Sequence, residues 1–249
     1  MKIISLGWGV QSFTLAAMVA LGKLEPVDYA VHADTSYESS LTYAFADKWT
    51  KWLEERGVKV VTLKQDNPII SKYGFVQIPA FTAFGQMKRQ CTSNWKITPM
   101  RQWITTELKT LGISKSEGIV EQWTGISLDE FCRAKTNNVK YIKYIYPLLE
   151  LGMTRNDCKK FLLDNGLDVP PKSSCIFCPF HGKSEWRQIF NVDADWKDAL
   201  AIDNFLRNRD PLHTMYLHST RIPLEDVDLR TPEEQGQMHL SESCSECWL

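Results

Sequence analysis

The chain has 249 residues with 29 Lys and Arg against 30 Asp and Glu, a net charge of -1, so it can bury a sizeable core and needs no metal merely to fold. That balance excludes a bulk field able to hold a polyanion, and a nucleic-acid partner would need a local basic patch. No apolar stretch reaches the ~20 residues of a membrane span, the opening MKIISLGWGVQSFTLAAMVALGKLEP is broken by a glycine-rich turn and lacks a cleavage pattern, and an odd cysteine count without a secretion signal predicts a cytoplasmic protein with no membrane partner.

In chain order, Lys2 to Leu6 reads as an apolar strand, Gly7-Trp8-Gly9-Val10-Gln11-Ser12 as a turn, and the alanine-rich stretch to Leu21 as a helix. Strand, glycine turn and helix together form the unit that aims backbone N–H groups at phosphate. A second strand, Tyr29 to Ala33, ends at Asp34-Thr35, and Ser39 to Arg56 is a helix with Trp49, Trp52 and Leu53 on one face. Val58 to Leu63 completes a βαβαβ pattern, which predicts an α/β fold with a doubly wound, mostly parallel sheet and a ligand beyond the carboxyl ends of the strands. Residues 64 to 95 read as a long functional loop, Ile97 to Leu111 as a helix entered through Pro99, and Ile119 to Thr124 as a strand leading into Gly125. Tyr141 to Tyr146 is a further strand, and Thr154 to Asn165 is a helix with Thr154 as N-cap and Asp157 three residues later. Beyond Pro170-Pro171, Trp186 to Phe190 and Asp195 to Arg207 look helical, and the last thirty or so residues are polar and loop-like. This organisation predicts a nucleotide-binding domain over residues 1–168 and a cysteine-bearing extension over 169–249 that packs back on it.

Five of the seven cysteines occupy three places: Cys91, the pair Cys175 and Cys178, and the terminal Cys244 and Cys247. Thiolates gathered around a CxxC hairpin build iron–sulfur or zinc sites, and spacing alone does not choose between them. Cys132 and Cys158 fall inside predicted helices and read as small buried hydrophobes. His181 reads as a surface or satisfied core histidine.

The turn from Gly7 to Ser12 resembles the PP-loop, Ser-Gly-Gly-x-Asp-Ser, of the adenine nucleotide alpha hydrolase superfamily, with Gly9 and Ser12 matching, Trp8 where a glycine is usual and Gln11 where an acid is usual. Further segments agree in order. Cys91-Thr92 to Lys96-Ile97-x-Pro99 resembles the Cys-x-x-x-Lys-Val-x-Pro-Leu segment of phosphoadenylyl- and adenylyl-sulfate reductases and of the related DNA phosphorothioation sulfurtransferases. Gly125-Ile126-Ser127-x-Asp129-Glu130 with Arg133 is similar to their Gly-Ile-Arg-x-x-Glu-Ser-x-x-Arg segment, and Tyr146-Pro147-Leu148 with the helix from Thr154 to their Pro-Leu-x-x-Trp-Thr helix. Cys175-x-x-Cys178-Pro179 stands where iron–sulfur members carry their CxxC.

The resemblance implies an adenine nucleotide, either ATP or a sulfonucleotide, with Mg²⁺. Gly7, Trp8, Gly9, Val10, Gln11 and Ser12 would lie near phosphate, and Asp34 and Thr35 near the nucleotide. Arg89, Lys96 and Arg133 would face phosphate or sulfate, with Gly125, Ser127 and Glu130 beside them. It also favours a [4Fe–4S] cluster over zinc, held by Cys91, Cys175 and Cys178. Cys247, or less readily Cys244, would complete the cluster, or one iron would stay open. Alternatively, Glu246-Cys247 resembles the Glu-Cys-Gly motif whose cysteine attacks the sulfate adduct, although here Trp248-Leu249 follows. The implied chemistry is adenylyl transfer with pyrophosphate release linked to sulfur transfer, with Cys247, Arg133 and Asp34 as the catalytic set. A sulfonucleotide reductase and a non-catalytic nucleotide-binding module are the alternatives. A nucleic-acid or protein partner supplying the acceptor, and a homodimer, remain open.

Overall fold

The computed structural model describes residues 1–116, 119–210, 212–231 and 234–235. Two compact units emerge, one of residues 1–79 and 86–178, the other of residues 80–85 and 179–249.

The first unit is built on a five-stranded parallel sheet of β1 (Lys2–Ser5), β2 (Tyr29–Ala33), β3 (Val60–Leu63), β6 (Val120–Thr124) and β7 (Ile142–Ile145), in the order β3-β2-β1-β6-β7. Every pairing is parallel, so each connection must cross over a face of the sheet, and helices cover both faces. On one side, α1 (Val10–Ala20), α2 (Ser40–Glu54) and α5 (Arg155–Asp164) bury Phe13, Leu15, Phe45, Trp49, Leu53, Cys158 and Leu162 against Ile4, Ala30 and Trp123. On the other, α3 (Thr98–Thr110) packs Met100, Ile104 and Leu108 on Ile3, Val31, Val120 and Ile142. The short helix α4 (Pro147–Glu150) follows β7. This is the doubly wound α/β architecture expected from the alternating pattern.

Local chemistry sets the helix ends. Ser39 caps α2 through its hydroxyl, which accepts from the Thr42 N–H at 3.3 Å. Thr154 and Asp157 form a complete capping box on α5, with the Thr154 N–H donating to Asp157 Oδ2 at 2.9 Å. The segment expected to be a plain loop before α3 is more structured. The chain from Ile69 to Gln77 folds back on itself through Gln77 N–H to Ile69 carbonyl and Ser71 N–H to Phe75 carbonyl bonds, both 2.8 Å. Phe81–Thr82 (β4) and Gly85–Gln86 (β5) form a separate two-stranded sheet, and a π-helical turn over Thr92–Ile97 runs straight into α3. Strands of two residues leave no readable period, which is why the sequence does not announce them.

In the second unit, α6 (Lys183–Phe190) and α7 (Asp193–Arg209) are adjacent helices. The fully buried Asp203 of α7 accepts from the backbone N–H groups of Leu217 and Leu224, each at 3.0 Å, and from Arg207 Nε at 2.8 Å. One buried carboxylate thereby ties two returning loops to α7. No helix among the described residues is long and apolar enough to cross a membrane.

Candidate functional site

The strand order reverses between β1 and β6, and in an open α/β sheet that reversal leaves a crevice outside the carboxyl ends of the two strands. The turn after β1 carries Gly7 to Ser12, and the turn after β6 begins at Gly125. The two approach so closely that a Cβ on Gly125 would lie 2.6 Å from the Ser12 nitrogen and 2.8 Å from the Gln11 carbonyl carbon. Glycine at 125 is therefore what lets α1 start where it does. Gly9, the N-cap of α1, has extended backbone (φ -91°) and offers no side-chain cap, so the first N–H groups of the helix are left for another acceptor.

Ser12 closes the turn on itself, accepting from the Gly7 N–H and donating to the Gly9 carbonyl, both at 3.2 Å. Its hydroxyl thus shapes the loop. The Gln11 side chain donates to Ser127 Oγ at 3.3 Å and Glu130 Oε2 at 3.2 Å, and accepts from Arg155 Nη1 at 2.9 Å. Arg133 pairs with Glu130 at 2.8 Å. Asp129 accepts from the Arg155 N–H at 2.9 Å, and its hydrogen bonds, led by that from Ser127, hold its carboxyl below the ordinary range. Gln11, Ser127, Glu130 and Arg133 are thus brought into one network, joined by Arg155 from α5.

Trp8 departs from the expected placement. Its backbone is left-handed (φ +53°), and the ring is 1% exposed in the core among Phe13, His32 and Phe45. Val10 is likewise buried in that core. Burying a large ring contributes more than the roughly 1–2 kcal/mol that a left-handed residue costs, so both side chains serve packing, and only their backbone faces the turn.

Asp34 is buried at the end of β2, where its Oδ1 accepts from the Ser36 N–H and the Tyr43 hydroxyl, both at 2.8 Å. Burial, then the Asp34 bond, push the Tyr43 phenol well above its ordinary range. Next to Asp34 lies a cluster that sequence reasoning missed. Glu38, with its side chain 1% exposed, accepts from Lys96 Nζ at 3.1 Å and from Thr35 Oγ1 at 3.4 Å, and its Oε2 has no hydrogen-bond partner among the described residues. Burial acts against the Lys96 ammonium, and Glu38 more than offsets it, leaving the amine raised. Lys96 therefore faces a carboxylate rather than standing free for a ligand.

Between this cluster and the turn opens a pocket of about 160 Å³ lined by Ser5, Gly7, His32, Lys96, Arg101 and Tyr144, among others. Whole small-molecule sites run to roughly 300–1,000 Å³, so it has room for only part of such a ligand. Burial holds the His32 imidazole below its usual range, and Nδ1 lies 3.0 Å from the Leu6 carbonyl. Arg101 reaches Asn137 Oδ1 at 3.4 Å, while its Nε is buried without a partner among the described residues. Such a donor costs about 1–3 kcal/mol unless a ligand satisfies it. Arg101, one turn beyond Lys96 on the same helix run, is the further cation that spacing from Lys96 could have flagged. Arg89 is exposed in the preceding loop.

The metal centre does not assemble among the described residues: no group of three or more His, Cys, Asp or Glu there could hold an ion. Cys91 and Cys178 are half-buried and Cys175 is buried. Cys175 Sγ lies 3.2 Å from Thr35 Oγ1, and burial, followed by the Glu38 charge, pushes its thiol up to about 12. A carboxylate beside a buried sulfur is a poor setting for an anionic iron–sulfur cluster, and with no third ligand gathered beside the pair among the described residues, zinc finds no site there either. Cys244, Glu246 and Cys247 lie outside the described residues, and with them the expected fourth ligand and nucleophile. Cys132 is exposed and Cys158 is buried in the core.

No family model matches the chain, and no curated protein does. Among solved structures, the chain is similar to a phosphoadenylyl-sulfate (PAPS) reductase from Candida auris, determined as a phosphate complex, at 16% identity and a TM-score of 0.43, over 68% of this chain and 74% of that one.

Proposed function

We propose that this protein binds an adenine nucleotide at the switch point, with phosphate at the start of α1 and part of the nucleoside in the adjoining pocket. The reading extends to adenylate chemistry linked to sulfur, either adenylyl transfer with pyrophosphate release or handling of an adenylylated sulfur compound. The observation that carries it is the crevice itself. Bare N–H groups of α1, a neighbouring turn without a Cβ at Gly125, and a buried unpartnered Arg101 Nε converge where a doubly wound sheet takes its ligand. The helix terminus and Arg101 supply fixed positive potential for a phosphate or sulfate group, and such chemistry depends on positioning and charge neutralisation more than on covalent help. Ser12 holds the loop, and Gln11 couples it to Glu130 and Arg155. No step is assigned to a metal.

Titration calorimetry with ATP, AMP and adenylyl sulfate tests this reading. Binding of at least one is expected, weakened at least tenfold by Arg101→Met, since a hydrogen bond to a charged group contributes about 1.5–3 kcal/mol. Absence of binding to all three would overturn it. Gln11, occupied by three neighbours where relatives carry an acid, favours a second reading as a binding module without turnover. Pyrophosphate release from ATP in the presence of Mg²⁺ separates the two.

A further inference from the structure

The chain is neutral as a whole, yet its charge is not evenly spread. Between residues 56 and 101 it carries eight Lys or Arg against one acid, Asp66. A local excess of that size meets the condition that a neutral protein must satisfy to hold a polyanion. Lys64, Lys72, Lys88 and Arg89 are exposed, and the first three make no ion pair among the described residues. The segment starts where β3 ends, on the carboxyl side of the sheet that also bears the Gly7 and Gly125 turns. Ser36 Oγ donates to the Gln65 carbonyl at 3.1 Å, which fixes that start beside the Asp34 loop. Asn94 Nδ2 donates to Gln77 Oε1 at 3.3 Å, joining the folded-back loop of residues 69–77 to the turn that leads into α3. Arg89 in turn lies within the field of Lys96 at the pocket.

The tip of the 69–77 loop adds a second, independent feature. Tyr73 and Phe75 are 73% and 70% exposed, an arrangement that water disfavours and that packing among the described residues does not explain. Lys72 lies over the Tyr73 ring at 5.0 Å. Exposed rings interleaved with unpaired cations are what a single-stranded nucleic acid requires: rings on which bases stack and cations that track the phosphates. An acidic protein partner could also bury the rings, but single rings interleaved with single cations match the alternation of base and phosphate along a strand.

We infer that residues 64–79 and 86–89, both in the first unit, form a binding face for single-stranded nucleic acid, with Tyr73 and Phe75 stacking on bases and Lys64, Lys72 and Lys88 contacting phosphates. The face leads toward the pocket through Arg89 and Lys96, yet its existence does not rest on nucleotide binding there.

Fluorescence anisotropy of the full chain with labelled oligo(dT) and oligo(U) of about 16 nucleotides tests the inference. Binding of one or both is expected, with log K falling against log salt at a slope near -2, the value for three phosphate contacts on a single strand. Lys64→Glu with Lys72→Glu should abolish most of that slope, and Tyr73→Ala with Phe75→Ala should weaken binding about tenfold or more at fixed salt while leaving the slope in place. All four side chains are exposed, so circular dichroism of the variants should match the parent. The DNA and RNA arms distinguish the two sources of the strand. Neither oligonucleotide binding at low salt, binding unaffected by the charge reversals, or binding only to anionic phosphatidylserine vesicles would each overturn the inference. Oligonucleotide binding that persists in Arg101→Met, with ATP binding lost, separates this face from the nucleotide site.

Discussion

Gly125→Ala is the most informative single change in the candidate site. The added Cβ would lie 2.6 Å from the Ser12 nitrogen, 2.8 Å from the Gln11 carbonyl carbon and 2.9 Å from Ser12 Cα, all backbone atoms, so no side chain can rotate away. To reach 3.4 Å, the inner limit of ordinary contact, the first turn of α1 must retreat by about 0.8 Å. Overpacking of this kind costs about 1–3 kcal/mol of stability. The same retreat moves the N–H groups offered to phosphate. Weakening one charge-assisted hydrogen bond there by about 1.5–3 kcal/mol corresponds to roughly a ten- to hundredfold rise in Kd. Urea unfolding and calorimetry with ATP measure both quantities. Two other glycines serve as controls. At Gly9 the nearest atom to an added Cβ is Ser173 Oγ at 3.2 Å, a side chain that can turn, so Gly9→Ala should leave stability nearly unchanged. Gly22 has open space but φ +66°, so Gly22→Ala should cost about 1–2 kcal/mol of stability with no change in affinity. ATP affinity that is unaltered in Gly125→Ala, or stability reduced equally in Gly9→Ala, would refute the argument.

Three further outcomes follow from the site and the core. Lys96→Met takes the ammonium from the buried Glu38 carboxylate and, with the Lys96 side chain itself 39% exposed, should cost about 1–3 kcal/mol in urea unfolding, whereas Lys96→Met with Glu38→Gln should recover most of it; equal losses in the single and double variants would show that the pair is not coupled. Burial keeps the His32 imidazole below its ordinary range, so the unfolded chain takes up that proton at higher pH than the folded one. The associated stability is present above pH ~6.5 and is lost as pH falls, by up to about 1.4 kcal/mol per pH unit. His218 has the same sign, so unfolding at pH 7 and 5.5 should show a drop that His32→Asn reduces without removing. Trp8→Gly gives up a buried ring, about 3–5 kcal/mol, and regains about 1–2 kcal/mol of backbone strain, for a net loss of roughly 1–4 kcal/mol. Loss of ATP affinity with stability intact would instead return the ring to the nucleotide site.

Much of the frame was legible because its signals are local. Alternating apolar strands and helical periods read out the parallel sheet, β2 at Tyr29–Ala33 and the Thr154–Asp157 capping box, all of which depend on residues within one or two turns of each other. Glu38 was missed for the opposite reason. Thr35 is a near neighbour, but Lys96 and Cys175 come from distant parts of the chain, and nothing adjacent to Glu38 marks it as buried. Spacing from Lys96 makes Arg101 a candidate, but what marks it out is an N–H that folding leaves without a partner among the described residues.

The linear order of residues determined the crossover pattern, and with it the strand ends at which Gly7 to Ser12 and Gly125 would sit, because hydrophobic period and turn chemistry act over short distances. Folding alone decided which glycine bears the steric demand, sent the Trp8 ring into the core, and surrounded Cys175 with Thr35 and Glu38 instead of Cys91. Those outcomes depend on close approach between segments up to 140 residues apart in the chain, and contact across such a span is a property of packing that neither spacing nor composition encodes.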